Sequence, residues 1–190
     1  AFRGRVREDA DAALMAELIL RHVATLHRIR DETGRVVTLA LEPEPCCYLE
    51  TVADTVAFFE RWLFSRPAVL RFAELAGLDR TAAEPALRRH AGVCLDACHM
   101  AVQFEEPRAA LDAARAAGIR IAKVQLSTGL AVRFDGADAA ILRALRPFAE
   151  GVYLHQGVER RDGRLTRYLD LPAALGAAAF TRRISFRKLS

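Results

Sequence analysis

Four short apolar stretches of this chain each deliver a polar group at their C-terminal end. Glu42 closes VVTLALE, Asp96 and then His99 follow GVCL, Gln125 closes IAKVQ, and His155 closes VYLH. Side chains alternate along a strand, so Val36, Thr38, Ala40 and Glu42 share one face while Val37, Leu39 and Leu41 share the other. The same parity sets Gly92, Cys94 and Asp96 against Val93 and Leu95, Lys123 and Gln125 against Val124 and Leu126, and Tyr153 and His155 against Val152 and Leu154. A chain built this way turns four polar strand ends toward one interior and offers the opposite face to helices.

The segments between these strands carry helical spacing. Met15, Leu18, Ile19, His22, Leu26 and Ile29 recur at three- and four-residue intervals and predict a helix over 8–30 with that stripe buried. Further helices are predicted over 50–64, as two pieces within 67–89, from Pro107 to Gly118, and over 137–148; the strands fall at 35–42, 92–96, 119–126 and 151–155. Strict alternation of helix and strand asks for a parallel sheet covered by helices. No glycine-rich phosphate turn follows any strand, and a polar group ends each one, which favours a barrel over a doubly wound sheet. A complete eight-stranded barrel takes about 250 residues. The expected fold is therefore α/β, a partial (β/α)8 TIM barrel over 1–179, truncated at the N-terminus and at the C-terminus, with a basic tail over 180–190.

The charge of the chain narrows its partners. Its net +4 resides entirely in Arg182, Arg183, Arg187 and Lys188, so 24 basic and 24 acidic residues remain before that tail. A neutral body with interleaved charges does not form a phosphate track, so no nucleic-acid partner is expected. No apolar run reaches the roughly 20 residues of a transmembrane helix. Cys46, Cys47, Cys94 and Cys98 lack the spacing of a small disulfide framework and read as reduced thiols, which suits a cytoplasmic setting. The expected partner is a small-molecule metabolite, and oligomeric state is left open.

Glu42, Asp96 and His99 are oxygen and nitrogen donors of the kind that hold Mn²⁺, Mg²⁺, Co²⁺ or Zn²⁺. Asp96 ends its strand and His99 lies one helical turn on, so both face one mouth; the plainer alternative is that Asp96 caps the next segment and His99 packs. Lys123 faces inward by parity, as a substrate contact or a carboxylate's partner. Glu44 shares the parity of Glu42, but the prolines around it leave its direction open. Cys98, between Asp96 and His99, is a lesser metal candidate. His22 reads as a core histidine, and His27 and His90 as surface residues.

The segments LEPEPCCYLE and GVCLDACHMAVQFEEP resemble the xylose isomerase-like barrels, the superfamily of sugar isomerases, ketose 3-epimerases and the endonuclease IV group. Within it the likeness runs to the metabolite-traffic proteins of the bacterial ebo cluster (EboE-like), over about 35–170, and takes in KVQLSTGL and VYLHQGVERRDGRLTRYLDLPAAL. The resemblance implies a TIM barrel with a divalent-metal site in which Glu42 and Asp96 are ligands, His99 is a ligand or substrate contact, and Gln125 is a weaker, neutral ligand where catalytic relatives carry histidine. In the enzyme reading Glu42 and His99 would carry catalysis, and His155, at its strand end, and the inward-facing Lys123 would contact substrate. Three functions follow as expectations: a metabolite-traffic protein of the ebo type; an active metal-dependent sugar or sugar-phosphate isomerase or epimerase; and, remotely, an endonuclease IV-like phosphodiesterase. Isomerases of this kind shuttle a proton with two carboxylates, and the sequence offers Glu42 no clear second glutamate. Whether the chain turns over a substrate is left open.

Overall fold

In the computed structural model, which describes residues 2–6, 8–133, 138–152 and 154–180, a long helix α1 (Asp9–Thr33) precedes a short strand β1 (Leu39–Leu41). Helix α2 (Val52–Phe58) continues as a wider π-helical turn over Phe59–Leu63, and α3 (Arg66–Ala76) and α4 (Arg80–His90) follow. Strand β2 (Ala91–Asp96) leads directly into the short α5 (Ala97–Val102), then come α6 (Pro107–Ala116), β3 (Arg120–Gln125) and α7 (Asp138–Leu145). An antiparallel pair, β4 (Gly157–Arg161) and β5 (Arg164–Tyr168), and α8 (Leu171–Phe180) complete the described chain.

The first three strands form a parallel sheet in the order β1-β2-β3. The chain is thus α/β as expected, but no closed barrel forms among the described residues. The fourth strand, predicted over 151–155, is not there. Val152, Leu154 and His155 lie outside any strand, and Tyr153 lies outside the described residues. The segment instead leads into the β4–β5 hairpin, whose turn is Asp162-Gly163, both with positive φ (48° and 79°). Two left-handed residues in a two-residue loop match the right-handed twist of the flanking strands, and Asp-Gly is a favoured pair for that turn. The basic tail lies outside the described residues beyond Phe180.

One face of the sheet packs on helices. Val93 and Leu95 of β2 join Phe59, Leu63, Phe72 and Leu87 in a core with almost no solvent exposure. Helix α1 meets this core most deeply through Ala12, Ala16, Leu20, Val23 and His27; of the predicted stripe, Met15 and Ile19 pack against it partly buried, while Leu18 is about half exposed. Three of the five buried positions are small or polar, so a search for large apolar residues settles to one side of the buried face. The histidines reverse accordingly. His22 is exposed with Nδ1 at 2.7 Å from the Leu18 carbonyl, whereas His27 and His90 are buried edge to face, 5.9 Å between ring centroids. His90 Nδ1 lies 2.7 Å from the Val37 carbonyl, and burial holds its pKa below the ordinary value. Among the described residues, no helix is long and apolar enough to cross a membrane.

The register between β2 and β3 contains a β-bulge. Gly92 and Val93 pair with Arg120 and Ile121, but Cys94, Leu95 and Asp96 pair with Lys123, Val124 and Gln125, leaving Ala122 without a partner. Without the extra residue Val124 would stand opposite Asp96. The bulge therefore flips the last three residues of β3 and brings Gln125 beside Asp96. Gly92 makes room for it, since a Cβ there would lie 2.5 Å from the Arg120 carbonyl oxygen and 3.3 Å from both Ala122 Cβ and Thr38 Cγ2. The Gly92→Ala variant should lose about 2–3 kcal/mol of stability in denaturant unfolding, as overpacked sites do. A loss under about 0.5 kcal/mol would mean that the strands separate freely at this point.

Candidate functional site

The polar groups gather where the three parallel strands end. Asp96, buried at 7% exposure, divides its two oxygens between two tasks. Its Oδ1 accepts backbone N–H bonds from Cys98 (2.8 Å) and His99 (3.3 Å), capping α5, and also accepts from the Ser127 hydroxyl. Its Oδ2 faces β3 and accepts from Gln125 Nε2 at 2.5 Å. The same Gln125 nitrogen donates to Glu42 Oε1 at 2.9 Å, so carboxylates from two different strands converge on one donor atom. Asp96 is thus both the helix cap and a member of the cluster, and the two sequence readings of it are compatible.

His99 reaches the cluster from the first turn of α5. Its Nδ1 lies 3.0 Å from the Pro43 carbonyl and 3.2 Å from Glu42 Oε1, two acceptors for an N–H at that position. Pro43 follows Glu42 directly, so the β1 exit orients both the carboxylate and the imidazole. Lys123 lies on the same face, opposite Cys94, and donates from Nζ to Gln125 Oε1 at 2.6 Å. It acts here by orienting the amide. With its carbonyl turned to Lys123, Gln125 presents N–H rather than oxygen to the two carboxylates.

Two residues join that the sequence reading weighed lightly or passed over. Asp96, Cys98 and His99 each place one potential metal-ligand atom within 4.8 Å of the others. Burial and the neighbouring Asp96 carboxylate push the Cys98 thiol up to about 11, so it is a neutral thiol at physiological pH. Ser127, two residues past Gln125, bonds both the Asp96 carboxylate and, at 3.0 Å, the Cys98 N–H. Its position just beyond a strand end was the signal available for it.

His155 does not stand on the sheet, yet it reaches the same neighbourhood. It lines a cavity of about 380 Å³ together with Cys98 and His99. Its backbone N–H donates to Asp170 at 2.9 Å, and the Glu150 and Asp170 carboxylates lie 3.8 and 3.9 Å from its ring nitrogens. The hairpin behind it is pinned to the β1–α2 loop by a buried carboxylate: Glu50 accepts from Arg167 Nε at 2.7 Å and from the Cys46 N–H at 2.8 Å, and lies 3.4 Å from Arg3. Gln156 adds a bond to Glu44, which settles the direction of that side chain toward the hairpin.

Two carboxylates and an imidazole converge, with a Gln125 N–H donor between the carboxylates; among the described residues the compact group of potential ligand atoms is Asp96, Cys98 and His99, and Glu42 is not a member of it. Asp96 and His99 are the members common to the oxygen-rich set expected from the sequence and to the compact Asp96–Cys98–His99 group. No family model, curated protein or solved structure matches this chain.

Burial alone would raise the Asp96 pKa, but the Ser127 and Cys98 hydrogen bonds and the His99 imidazole outweigh it and hold it at about 2, against an ordinary 3.8. A depressed carboxylate pKa stabilises the fold above the unfolded value, and that contribution is lost as pH falls from about 4 toward about 2. The Asp96→Asn variant should therefore be less stable by ~2 kcal/mol at pH 7, with the gap closing across that window in pH-dependent urea unfolding. A gap that stays constant from pH 7 to pH 2 would assign the loss to the cap alone.

Proposed function

We propose that this chain is part of a xylose isomerase-like (β/α)8 barrel and handles a small metabolite at a divalent-metal site, as the resemblance to the ebo-cluster metabolite-traffic proteins implies. The observation that supports this most is the convergence of Glu42 and Asp96, from β1 and β2, on a single atom of Gln125 from β3. Same-charge groups brought together at the C-terminal ends of parallel strands gain from a cation between them. Asp96, Glu42 and the His99 imidazole would hold the ion, with the Gln125 amide and the Cys98 thiol beside it. A bound divalent ion would supply charge to polarise a carbonyl or hydroxyl oxygen of the metabolite. Four free thiols among the described residues accord with the cytoplasmic setting that forms part of the proposal.

Binding is favoured over turnover by the way the carboxylates are used. An enediol shuttle needs two acid–base groups astride the substrate, whereas Asp96 spends one oxygen on α5 and Glu42 is held by Gln125 and His99. Gln125 is neutral and cannot take a proton. The isomerase or epimerase reading keeps one supporting observation: His155 lines the cavity that His99 also lines, and two carboxylates flank its ring.

Titration with Mn²⁺ or Co²⁺ tests the assignment. The unmodified protein should bind one equivalent, Asp96→Ala should weaken binding by more than about 100-fold, and Gln125→Ala by no more than about tenfold. Equal affinities in all three proteins would remove Asp96 from the metal site.

A further inference from the structure

The cavity that Cys98, His99 and His155 share has a lining of a particular kind. At about 380 Å³ it falls in the range of pockets that enclose small organic ligands. Its walls include Phe104, Leu130, Leu145, Phe148, Leu154 and Val158, drawn from the turn after α5, the segment after β3, α7 and its continuation, and the approach to and start of β4. Three of these are large apolar side chains left in water around a concave surface: Leu130 is 44% exposed, Phe148 45% and Leu154 55%. Exposed apolar groups around a hollow mark a surface that an apolar partner covers.

The polar groups in the lining are all uncharged or only weakly basic. His99, His155, Thr128, Gln156 and Cys98 offer hydrogen bonds, and no lysine, arginine, aspartate or glutamate is among the described lining residues. His155 Nδ1 is shielded from solvent and has no hydrogen-bond partner; the Asp170 carboxylate stands 3.9 Å away, beyond hydrogen-bonding distance. Away from the His99 end, where the proposed cation would sit, a sugar phosphate along these walls would lose the hydration of a dianion; the Arg160 guanidinium near them is stacked on the Phe104 ring, 4.2 Å from its centroid, and is not among the described lining residues. A sugar would meet too few donors and acceptors for its hydroxyls along the apolar walls.

We propose that this cavity binds a neutral, ring-bearing apolar metabolite with one hydroxyl or carbonyl group. Its rings lie against Leu130, Leu145 and Phe148, and its polar group meets His99 and His155. The proposal rests on the metabolite-handling reading and refines it, replacing the sugar or sugar phosphate with an apolar molecule.

The test uses 2-naphthol as probe, followed by calorimetry and by its own fluorescence, with 2-naphthyl phosphate and fructose 6-phosphate as competitors. Saturable binding at one site is expected. Phe148→Asp and Leu130→Asp should each weaken it by at least about tenfold, because each places a charge against the rings. Both positions are nearly half exposed, so the fold should persist, which circular dichroism checks; Leu154→Ser is the milder variant should either fail to fold, and it should weaken binding about threefold. Naphthyl phosphate should bind at least about tenfold more weakly than naphthol, and fructose 6-phosphate should not displace it. Failure of the folded protein to bind naphthol, unchanged affinity in the variants, or displacement by fructose 6-phosphate would overturn the proposal. Naphthol binding that survives Asp96→Ala would leave the cavity assignment standing even if Mn²⁺ binding proves absent, so the two readings fail separately.

Discussion

The single extra residue in β3 is the constraint on which the rest of the site depends. Strand alternation is unforgiving: a one-residue slip moves every later side chain to the other face. Across β2 and β3 the slip occurs at Ala122, and its effect is to put Gln125 rather than Val124 next to Asp96. An aliphatic side chain there would leave the Asp96 Oδ2 oxygen buried without the Gln125 donor, and Glu42 would lose its tie to β3. The bulge needs a close approach of strands at Gly92, where even a methyl group would collide with the Arg120 carbonyl. A missing side chain in β2 thus makes possible a polar contact four residues further along the same strand.

Asp96 then works as a hub because its two oxygens face different ways. Oδ1 closes the strand-to-helix turn that presents Cys98 and His99, while Oδ2 looks along the sheet ends to Gln125. The helix cap and the cluster are held by one carboxylate, so the site cannot loosen without the start of α5 loosening too. The Glu50 carboxylate plays a parallel part on the other side, joining Arg167 of the hairpin to the Cys46 backbone and so holding the approach to the cavity against the β1 exit. A buried carboxylate of this kind stands only because its charge is met by both a cation and an N–H donor.

How far these features could be read in the sequence follows from their physical origin. The alternation of Thr38, Ala40 and Glu42, and of Gly92, Cys94 and Asp96, is local, and both groups lie on the face they were expected to share. The same holds for Lys123 and Gln125, although parity alone could not reveal that a bulge was needed to align them with β2; that depends on the partner strand. His155 was placed on a fourth strand because VYLH is apolar and alternating, yet pairing requires a neighbour, and the backbone instead continues into the Asp162-Gly163 hairpin. The Asp-Gly pair was visible and gives the stronger local signal. The buried phase of α1 was hidden by its own composition, since Ala12 and Ala16 pack closely without looking hydrophobic and His27 is enclosed by Phe72 and His90. Ser127 and the Pro43 carbonyl entered the site only through contacts between strands, which no spacing along the chain records.

We propose one cation site at the ends of β1, β2 and β3. Crystals of the protein soaked in Mn²⁺ and measured at the manganese absorption edge test it most directly, because anomalous scattering locates the ion. A single anomalous peak between the Glu42 and Asp96 carboxylates, with the Gln125 amide displaced from between them, is the predicted result. A fully occupied manganese peak elsewhere, with Gln125 still bonded to both carboxylates, would contradict it.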